Sequence, residues 1–507
     1  MNKYFANFFV FTTGAVIMAI ELTASRLLAP YFGTSIFVWG NIIGVVMIAL
    51  ALGYWWGGKL ADKKPRIQVL SSLIFICAIF LTLLPIFFKP LVKMVISILE
   101  FPSLFVFAFI CFWVVIFILA LPLIILGMSS PFVIRIMNKD VKDTGKVAGQ
   151  IFAWATIGSI FGVFLSTFIT VPFLGSMETI LISAAVLILL SGLTLPSKYK
   201  LLSLLVILPV IVYIFFANKP LTDNENLVFE KETPYQYVRV VDKEGWRYLL
   251  FNEGSGIQSY IKLNRPHFLT DNSYYDYFNF LPYINHQEDY KKDFLIIGGG
   301  GGTAAKQLVS FWQPKINIDF VEIDKTVIEA AQQYFDMNEK EINVINQDGR
   351  FFLEKTEKKY DYLIVDAYSN QLFIPFHVTT DEFFHLTKSK LNQRGVLSIN
   401  INADGHQSEL LQKMEQTVKK NFKNVYVLPM DNSYNFLVFA SDVDLDFEFE
   451  LDEIDKDLHA YAKNFANIEE ISHWQKDMIL TDNRAPIEFL TDKMILKIFF
   501  NYIMGES

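Results

Sequence analysis

The chain has 507 residues, of which 52% are hydrophobic and 15% aromatic, and its mean hydropathy is +0.33. It is too apolar for an ordinary soluble protein and too long for one domain, so part of it is expected to lie in lipid. Residues 1–219 carry 15 basic and 6 acidic side chains, whereas the remainder carries 29 basic and 46 acidic ones. Such an acidic C-terminal part would repel phosphate backbones, which argues against a nucleic acid partner and favours cationic small molecules.

Seven apolar segments of the N-terminal part are candidates for membrane-spanning helices, because a bilayer core of about 30 Å requires roughly 20 apolar residues in a helix. They lie near residues 5–25, 36–58, 67–88, 103–128, 147–173, 178–196 and 201–217. Basic residues cluster in two of the loops, at Lys59, Lys63, Lys64 and Arg66 and at Arg135, Lys139, Lys142 and Lys146. These clusters mark cytoplasmic loops. Residues 1–218 are therefore expected to form a multi-pass domain of the cell membrane with its N-terminus on the cytoplasmic side. Seven crossings would place the remainder outside, whereas the substrate inferred below is cytosolic. We therefore expect that the count is wrong by one or that the last segment does not cross.

Beyond Lys219 the pattern changes to short alternating strands, which predict a small antiparallel sheet within residues 219–290. From residue 291 to 443 the pattern predicts an α/β domain with an open, doubly wound, Rossmann-like sheet. Its first unit consists of a buried strand at Phe294–Ile297, a glycine loop, a helix at Thr303–Trp312 and a second strand at Asn317–Glu322. The tail, residues 444–507, is acidic and is predicted to be helical.

Four consecutive strand ends of the predicted sheet carry a glycine loop or an acid. The loop Gly298–Gly302 follows the first strand, and Glu322, Asp348 and Asp366 follow the next three. Ligands of open parallel sheets lie outside the carboxyl ends of the strands, so these residues are expected to surround a ligand. Glu322 comes 24 residues after Gly298, which is about the spacing at which a carboxylate hydrogen-bonds ribose hydroxyls. The pattern therefore predicts a nucleoside site.

Other interpretations of the same residues remain open. The glycine run could be only a tight turn between strand and helix, and Asp348 could simply cap a helix beginning at Gly349. Nicotinamide is a less expected ligand, because Thr303 stands at the third glycine of the dinucleotide motif. The loop also lacks a basic residue that would meet a pyrophosphate.

The motifs Leu295–Gly300, Val321–Asp324, Gln347–Phe352 and Ile364–Tyr368 resemble the spermidine synthase family, which comprises polyamine aminopropyltransferases with a methyltransferase-like fold. The likeness extends over roughly residues 230 to 440. The stretches Glu21–Thr34 and Gly57–Asp62 also resemble the multi-span region of membrane-fused bacterial members.

The resemblance implies a role for each matching residue. Glu322 would hold the ribose, Asp348 the adenine amine, and Gln258 the nucleoside or its thioether, while Tyr275 would lie near the reacting carbon. The nucleoside site would further include the backbone or side chains of Gly298, Gly300, Gly349 and Asp366. No cofactor beyond the substrate S-adenosylmethionine, or its decarboxylated form, and no metal is expected.

The sequence departs from the family pattern where an amine acceptor would bind. Gly301 stands where family members have an acid in the glycine loop, and Ser369 stands where they have a second acid. Asp276 and Tyr277 replace the histidine and glutamate that commonly follow the pocket tyrosine. Burying a diamine without anionic partners is costly, so a changed acceptor is expected.

Three hypotheses follow for the activity. The first is a lyase that closes the carboxylate of S-adenosylmethionine onto its own γ-carbon and releases homoserine lactone and methylthioadenosine. Asp366 would then hold the substrate ammonium, and Tyr274, Tyr275 and Tyr277 could face the sulfonium. The second is an aminopropyltransferase in which Asp366 is the general base. The third, a transporter with a nucleoside-sensing domain, is less favoured because intramembrane charge is sparse. The other expected partners are membrane lipid and, as an open alternative, a second copy of the chain.

Overall fold

The computed structural model describes residues 2–32, 36–98, 104–138, 143–196, 207–208, 226–252, 257–263, 269–285, 291–337, 340, 342–369, 372–431 and 433–504. The chain divides into two compact units, Met1–Asp223 and Asn224–Ser507.

The described residues of the first unit form helices joined by short turns. Its helices are Lys3–Phe32, Ile36–Lys63, Ile67–Ile98, Leu104–Val115, Leu121–Gly127, Ser129–Met137, Thr144–Leu165, Val171–Leu174 and Ser176–Gly192, and π-helical turns at Ile116–Ala120 and Ser166–Thr170 join two pairs of them. Five stretches are long and apolar enough to cross a membrane, namely Lys3–Leu28, Val38–Lys63, Ile67–Phe88, Phe109–Met137 and Thr144–Leu174. They coincide with the first five predicted segments.

The last two predicted segments do not correspond to full-length spans in the described part of the chain. The sixth corresponds to Ser176–Gly192, an apolar helix of 17 residues, which is shorter than the roughly 20 residues that a bilayer core requires. The seventh, 201–217, lies outside the described residues apart from 207 and 208. The described part of the chain therefore contains five full-length candidates and one shorter apolar helix, Ser176–Gly192. A cytoplasmic second unit requires an even number of crossings, so it requires this sixth helix to cross as well.

Small residues let two of the apolar helices pack backbone against backbone. A Cβ atom added at Gly158 would collide with the carbonyl oxygen of Phe11, and one at Gly162 would collide with that of Ala15. Only glycine fits at such crossings, which is the packing common between helices that cross membranes.

The second unit begins with a four-stranded antiparallel sheet in the order β1-β2-β3-β4. Its strands are Leu227–Glu232 (β1), Tyr237–Lys243 (β2), Trp246–Phe251 (β3) and Ile257–Lys262 (β4). The last three were predicted from their alternation. β1 was not, because charged residues occupy half of its six positions and hide the apolar pattern.

The main sheet has eight strands in the order β12-β10-β11-β9-β8-β5-β6-β7. They are Lys292–Ile297 (β5), Ile316–Glu322 (β6), Asn343–Asn346 (β7), Tyr360–Val365 (β8), Leu391–Asn402 (β9), Asn424–Pro429 (β10), Asn435–Ser441 (β11) and Glu469–Glu470 (β12). Strands β5 to β9 pair in parallel, as predicted. In contrast, β11 inserts antiparallel between β9 and β10, so the complete sheet is mixed.

Helices cover both faces of this sheet, and the strands alternate accordingly. Phe294 and Ile296 of β5 belong to one apolar core, whereas Leu295 and Ile297 belong to the other. Successive strand residues point to opposite faces, so a continuous apolar strand is buried on both sides. The longer helices of this unit are Thr303–Trp312, Lys325–Tyr334, Gly349–Lys355, Asp381–Ser389, Glu409–Asn421 and Ile487–Met504.

The tail is less helical than predicted. From residue 451 to 478 it forms single turns and the two-residue strand β12, and only Ile487–Met504 is a long helix. This helix buries Leu490 and Met494 in the core that also contains Ile297. Acidic composition alone could not distinguish these turns from a continuous helix.

Candidate functional site

The predicted strand-end residues converge on one cavity of about 250 Å³. They do so because β5, β6 and β8 are neighbours and parallel, and their carboxyl ends meet at one edge of the sheet. All but one of the predicted site residues line it: Gln258, Gly298, Gly300, Glu322, Asp348, Gly349 and Asp366. Tyr275 is the exception.

Gly298 begins the loop in a conformation that other residues avoid. Its φ is +76°, and a Cβ atom there would lie 2.5 Å from Cα of Ala367. Glycine at this position therefore allows the loop to pass closely over the end of β8. The backbone of the loop consequently forms one wall of the cavity.

Glu322 lies buried at the end of β6. Its Oε1 accepts a hydrogen bond from the backbone N–H of Asp324 at 3.0 Å. Burial raises the pKa of Glu322 to about 7, with a smaller contribution from the nearby charge of Asp324, while backbone N–H groups oppose this rise. The site thus keeps an acceptor-rich carboxyl group away from water, and a ribose diol could supply donors to it.

Asp348 caps a helix and also lines the cavity. Its side chain caps the helix Gly349–Lys355 by accepting the N–H of Phe351 at 2.9 Å, and it also lines the cavity. Its Oδ2 lies 3.2 Å from Nε2 of His377. This hydrogen bond is the main reason why the pKa of Asp348 is below its usual value.

His377 is a cavity residue that the sequence analysis missed. It lies in the single 3-10 turn Phe376–Val378, 12 residues beyond the end of β8 at Val365, where no periodic pattern marks it. The proximity of His377 to Asp348 comes from the tertiary structure alone. Tyr235, Gln236 and Tyr368 also line the cavity without having been predicted.

Asp366 is held by two neutral donors. The hydroxyl of Tyr274 donates to Oδ2 at 2.9 Å, and Nδ2 of Asn400 donates to Oδ1 at 2.9 Å. Burial raises the pKa of Asp366 to about 6, and the two hydrogen bonds act in the opposite direction. A carboxylate with this pKa is mostly ionised at pH 7 and can accept a proton.

The predicted position of Tyr275 at the site is wrong, because the adjacent Tyr274 lines the cavity in its place. Tyr275, predicted to lie by the reacting carbon, is not among the residues that line the cavity, and it donates its hydroxyl to the carbonyl oxygen of Gln258 at 2.7 Å. Tyr274 lines the cavity instead. Tyr277, which was also expected to face the sulfonium, donates to Oδ1 of Asn272 at 2.6 Å. Neighbouring residues of a helical turn point in different directions, which a sequence match shifted by one residue cannot resolve.

The substitutions in the acceptor region have structural explanations. Gly301 donates its N–H to Oγ of Ser259 at 2.8 Å, and a Cβ at Gly301 would lie 2.9 Å from Cβ of Ser259. Asp276, which the sequence comparison places where family members commonly have a histidine, is fully buried and accepts hydrogen bonds from Thr270, Asn272 and Gln307. It does not line the cavity.

A second cavity of about 240 Å³ adjoins the first. The two have Gln258, Tyr274 and Tyr368 in common. The other described residues that line it are Ile257, Leu372, Asn400, Asn402, Ser433, Tyr434 and Asn435. Asp366 lies at the junction, because it lines the first cavity and contacts Asn400 of the second.

Residues 273–437, which contain most of this site, match the family described as "Spermine/spermidine synthase domain". This part of the chain is a spermidine synthase family domain. It agrees with the resemblance found in the motifs, and the strand order observed for the main sheet agrees with a methyltransferase-like Rossmann fold.

Several proteins of known name are similar to the chain. A probable polyamine aminopropyl transferase of Bifidobacterium longum is 35% identical over 42% of this chain and 47% of its own length. The chain thus spans about half of that relative. Polyamine aminopropyltransferase 2 of Aquifex aeolicus is 23% identical over 88% of this chain and 89% of its own length, which includes the helical unit. A probable spermidine synthase structure from Corynebacterium glutamicum covers 49% of this chain and 91% of its own, with 18% identity and a TM-score of 0.38.

Proposed function

We propose that this chain is an aminopropyltransferase that cleaves the bond between the γ-carbon and sulfur of decarboxylated S-adenosylmethionine and transfers the aminopropyl group to an amine. The observation that carries this proposal is the position of Asp366 between two cavities. The first cavity would hold the nucleoside, and the second would hold the acceptor.

The first cavity suits the adenosine part of the donor substrate. Glu322 would accept hydrogen bonds from the ribose hydroxyls, and Asp348 would accept one from the adenine amine, with His377 orienting its carboxylate. The backbone of Gly298 and Gly300 would pass beside the nucleoside, and Gln258, at the boundary of both cavities, would lie near the sulfonium. The family match and the named relatives support this assignment.

Asp366 and Tyr274 would carry the chemistry. An acceptor amine in the second cavity loses a proton to Asp366 and attacks the γ-carbon of the aminopropyl group. A carbon–nitrogen bond forms while the carbon–sulfur bond breaks, and the electron pair of the broken bond neutralises the sulfonium as methylthioadenosine. Tyr274 would hold Asp366 in position through its hydrogen bond.

Two observations support transfer over the lyase reaction. A lyase uses the carboxylate of its own substrate as nucleophile and has no need of an acceptor cavity, whereas a second cavity of about 240 Å³ adjoins the first. The named relatives are polyamine aminopropyltransferases. Only the absence of acids at Gly301 and Ser369 favours the lyase, and a changed acceptor accounts for it equally well. Because the relatives are named as enzymes, nothing favours the transporter with a sensing domain.

Incubation of the purified full chain with the two possible sulfonium substrates tests the proposal. We expect methylthioadenosine only when decarboxylated S-adenosylmethionine and an amine are both present. Release of methylthioadenosine and homoserine lactone from S-adenosylmethionine alone would instead establish the lyase. The variant Asp366→Asn should lose activity, while Asp477→Asn, which removes the same charge from an exposed turn, should retain it.

A further inference from the structure

The second cavity has an unusual lining for a site that would receive a diamine. None of its described lining residues carries a charge, and four of them are Asn or Gln. Asn400 and Asn402 alternate along β9 and therefore share one face, and Asn435 of the neighbouring strand β11 pairs with Asn402. The sheet thus places three amides side by side in the lining of this cavity.

The orientation of these amides follows from Asp366. An ionised carboxylate can only accept hydrogen bonds, so Asn400 must present its Nδ2 to Asp366 and its Oδ1 away from it. Nδ2 of Asn435 donates to that Oδ1 at 2.9 Å and also to Oδ1 of Asn402 at 2.9 Å. Both hydrogens of the Asn435 amide are then used, and its own Oδ1 accepts from Ser433.

The hydrogen bonds that link these side chains end at Nδ2 of Asn402. The Asn402 side chain is 8% exposed and lines the second cavity, and within the described part of the chain its Nδ2 donates to no residue. This donor is therefore available to an acceptor atom of a molecule bound in the cavity. At Asn402 the lining of this cavity therefore presents a hydrogen-bond donor, and none of its described lining residues supplies a negative charge.

A diamine fits such a lining poorly. Its far ammonium has three donors and no acceptor, so it would face Nδ2 of Asn402 donor to donor. It would also lose water without gaining an anionic partner, which is costly for a charged group. A hydroxyl or a carboxamide oxygen can accept from Asn402 and carries no charge.

We propose that the acceptor of this enzyme is a primary amine whose far end is an uncharged hydrogen-bond acceptor, such as an amino alcohol or an amino amide. This inference rests on the proposed aminopropyl transfer and specifies its acceptor. The amine nitrogen forms the new bond to the γ-carbon, its proton passes to Asp366, and methylthioadenosine leaves with the electrons of the carbon–sulfur bond. The far oxygen takes no part in the reaction and binds Asn402.

Two acceptors of equal length separate the possibilities. 4-Aminobutan-1-ol and 1,4-diaminobutane differ only in the group that would meet Asn402. With the purified full chain and decarboxylated S-adenosylmethionine, we expect kcat/KM for the amino alcohol to exceed that for the diamine at least tenfold. The alkylated product of each acceptor is quantified by mass spectrometry together with methylthioadenosine.

The variant Asn402→Asp should reverse this preference, because it replaces the donor with an anionic acceptor of the same shape. We expect kcat/KM for the diamine to rise at least tenfold, and a gain of this kind cannot arise from misfolding. Asn467→Asp, which adds the same charge at an exposed position, should leave the preference unchanged.

The outcomes distinguish the inferred acceptor from the proposed aminopropyl transfer. Preference of the native chain for the diamine, or an unchanged preference in Asn402→Asp, would overturn the inference while leaving aminopropyl transfer intact. Failure of every amine to yield methylthioadenosine from the decarboxylated substrate would contradict the proposed function itself.

Discussion

The hydroxyl of Tyr274 donates a hydrogen bond of 2.9 Å to Oδ2 of Asp366, which lies 92 residues further along the chain. The hydrogen bond stabilises the ionised form of a carboxylate whose pKa burial has raised to about 6. Asp366 is thereby poised to accept a proton near neutral pH, as a general base must be.

The first prediction concerns the pH dependence of the reaction. Protonated Asp366 cannot accept a proton, so kcat/KM should fall about tenfold per pH unit below a pKa of about 6. Asp366→Asn should lower kcat by about 10²–10⁴-fold, the range typical of general base catalysis. Both effects are measured by the steady-state release of methylthioadenosine between about pH 5 and pH 8, the range in which a group with a pKa near 6 changes its charge.

Tyrosine variants supply the control for this assignment. Tyr274→Phe removes a hydrogen bond to the ionised carboxylate, so the acidic limb should move to higher pH. Tyr275→Phe removes a hydrogen bond to the carbonyl oxygen of Gln258 and should leave the limb in place. A shift in Tyr275→Phe alone would show that Tyr275, and not Tyr274, influences the pKa of Asp366.

The second prediction concerns nucleoside affinity. Glu322→Ala should weaken binding of methylthioadenosine by at least about 1.5–3 kcal/mol, the contribution of one hydrogen bond to a charged group. Isothermal titration calorimetry measures this loss, and Glu329→Ala, which removes a half-exposed carboxylate, is the matched control. Unchanged affinity in a folded Glu322→Ala protein would place the nucleoside elsewhere.

The third prediction concerns the stability cost of the same residue. Burial raises the pKa of Glu322 from 4.5 to about 7, so its contribution to the free energy of unfolding is fully present below pH 4.5 and is lost as the pH rises through 7. Glu322→Gln should therefore have a higher thermal midpoint than the native chain above neutral pH, with the difference shrinking toward acidic pH. Differential scanning calorimetry of both proteins across this pH range measures the difference in thermal midpoint. A difference that does not change with pH would indicate another cause.

The fourth prediction separates the two roles of Asp348. Asn caps helices about as well as Asp, whereas Ala costs about 1 kcal/mol. Asp348→Asn should therefore keep the thermal midpoint while weakening methylthioadenosine binding about tenfold, because the amide would turn a donor toward His377 and the ligand. Equal losses of stability in Asp348→Asn and Asp348→Ala would show that capping is not its structural role.

The fifth prediction concerns topology. Decarboxylated S-adenosylmethionine is expected in the cytosol, so residues 224–507 should lie on the cytoplasmic side of the cell membrane. Protease added to intact cells should leave this unit uncut, and permeabilised cells should lose it. Cleavage without permeabilisation would contradict every cytosolic substrate considered for this chain.

The local elements of the α/β unit could be predicted from the sequence, because they follow from short-range patterns. Continuous apolar runs such as that of β5 mark strands buried on both faces, and the glycine loop marks the turn that follows. The positions of Glu322, Asp348 and Asp366 around one cavity were predictable for the same reason, since parallel neighbours bring their carboxyl ends together.

The tertiary structure decided what depends on side-chain direction and on contacts between distant segments. It selected Tyr274 over Tyr275 because adjacent residues of a helical turn face different ways, and it brought His377 to Asp348 across 29 residues of chain. It also aligned Asn400, Asn402 and Asn435 through the antiparallel insertion of β11, which no local pattern encodes. Local propensity thus determined the elements and the edge of the sheet at which the first cavity lies, whereas packing between remote strands determined the second cavity.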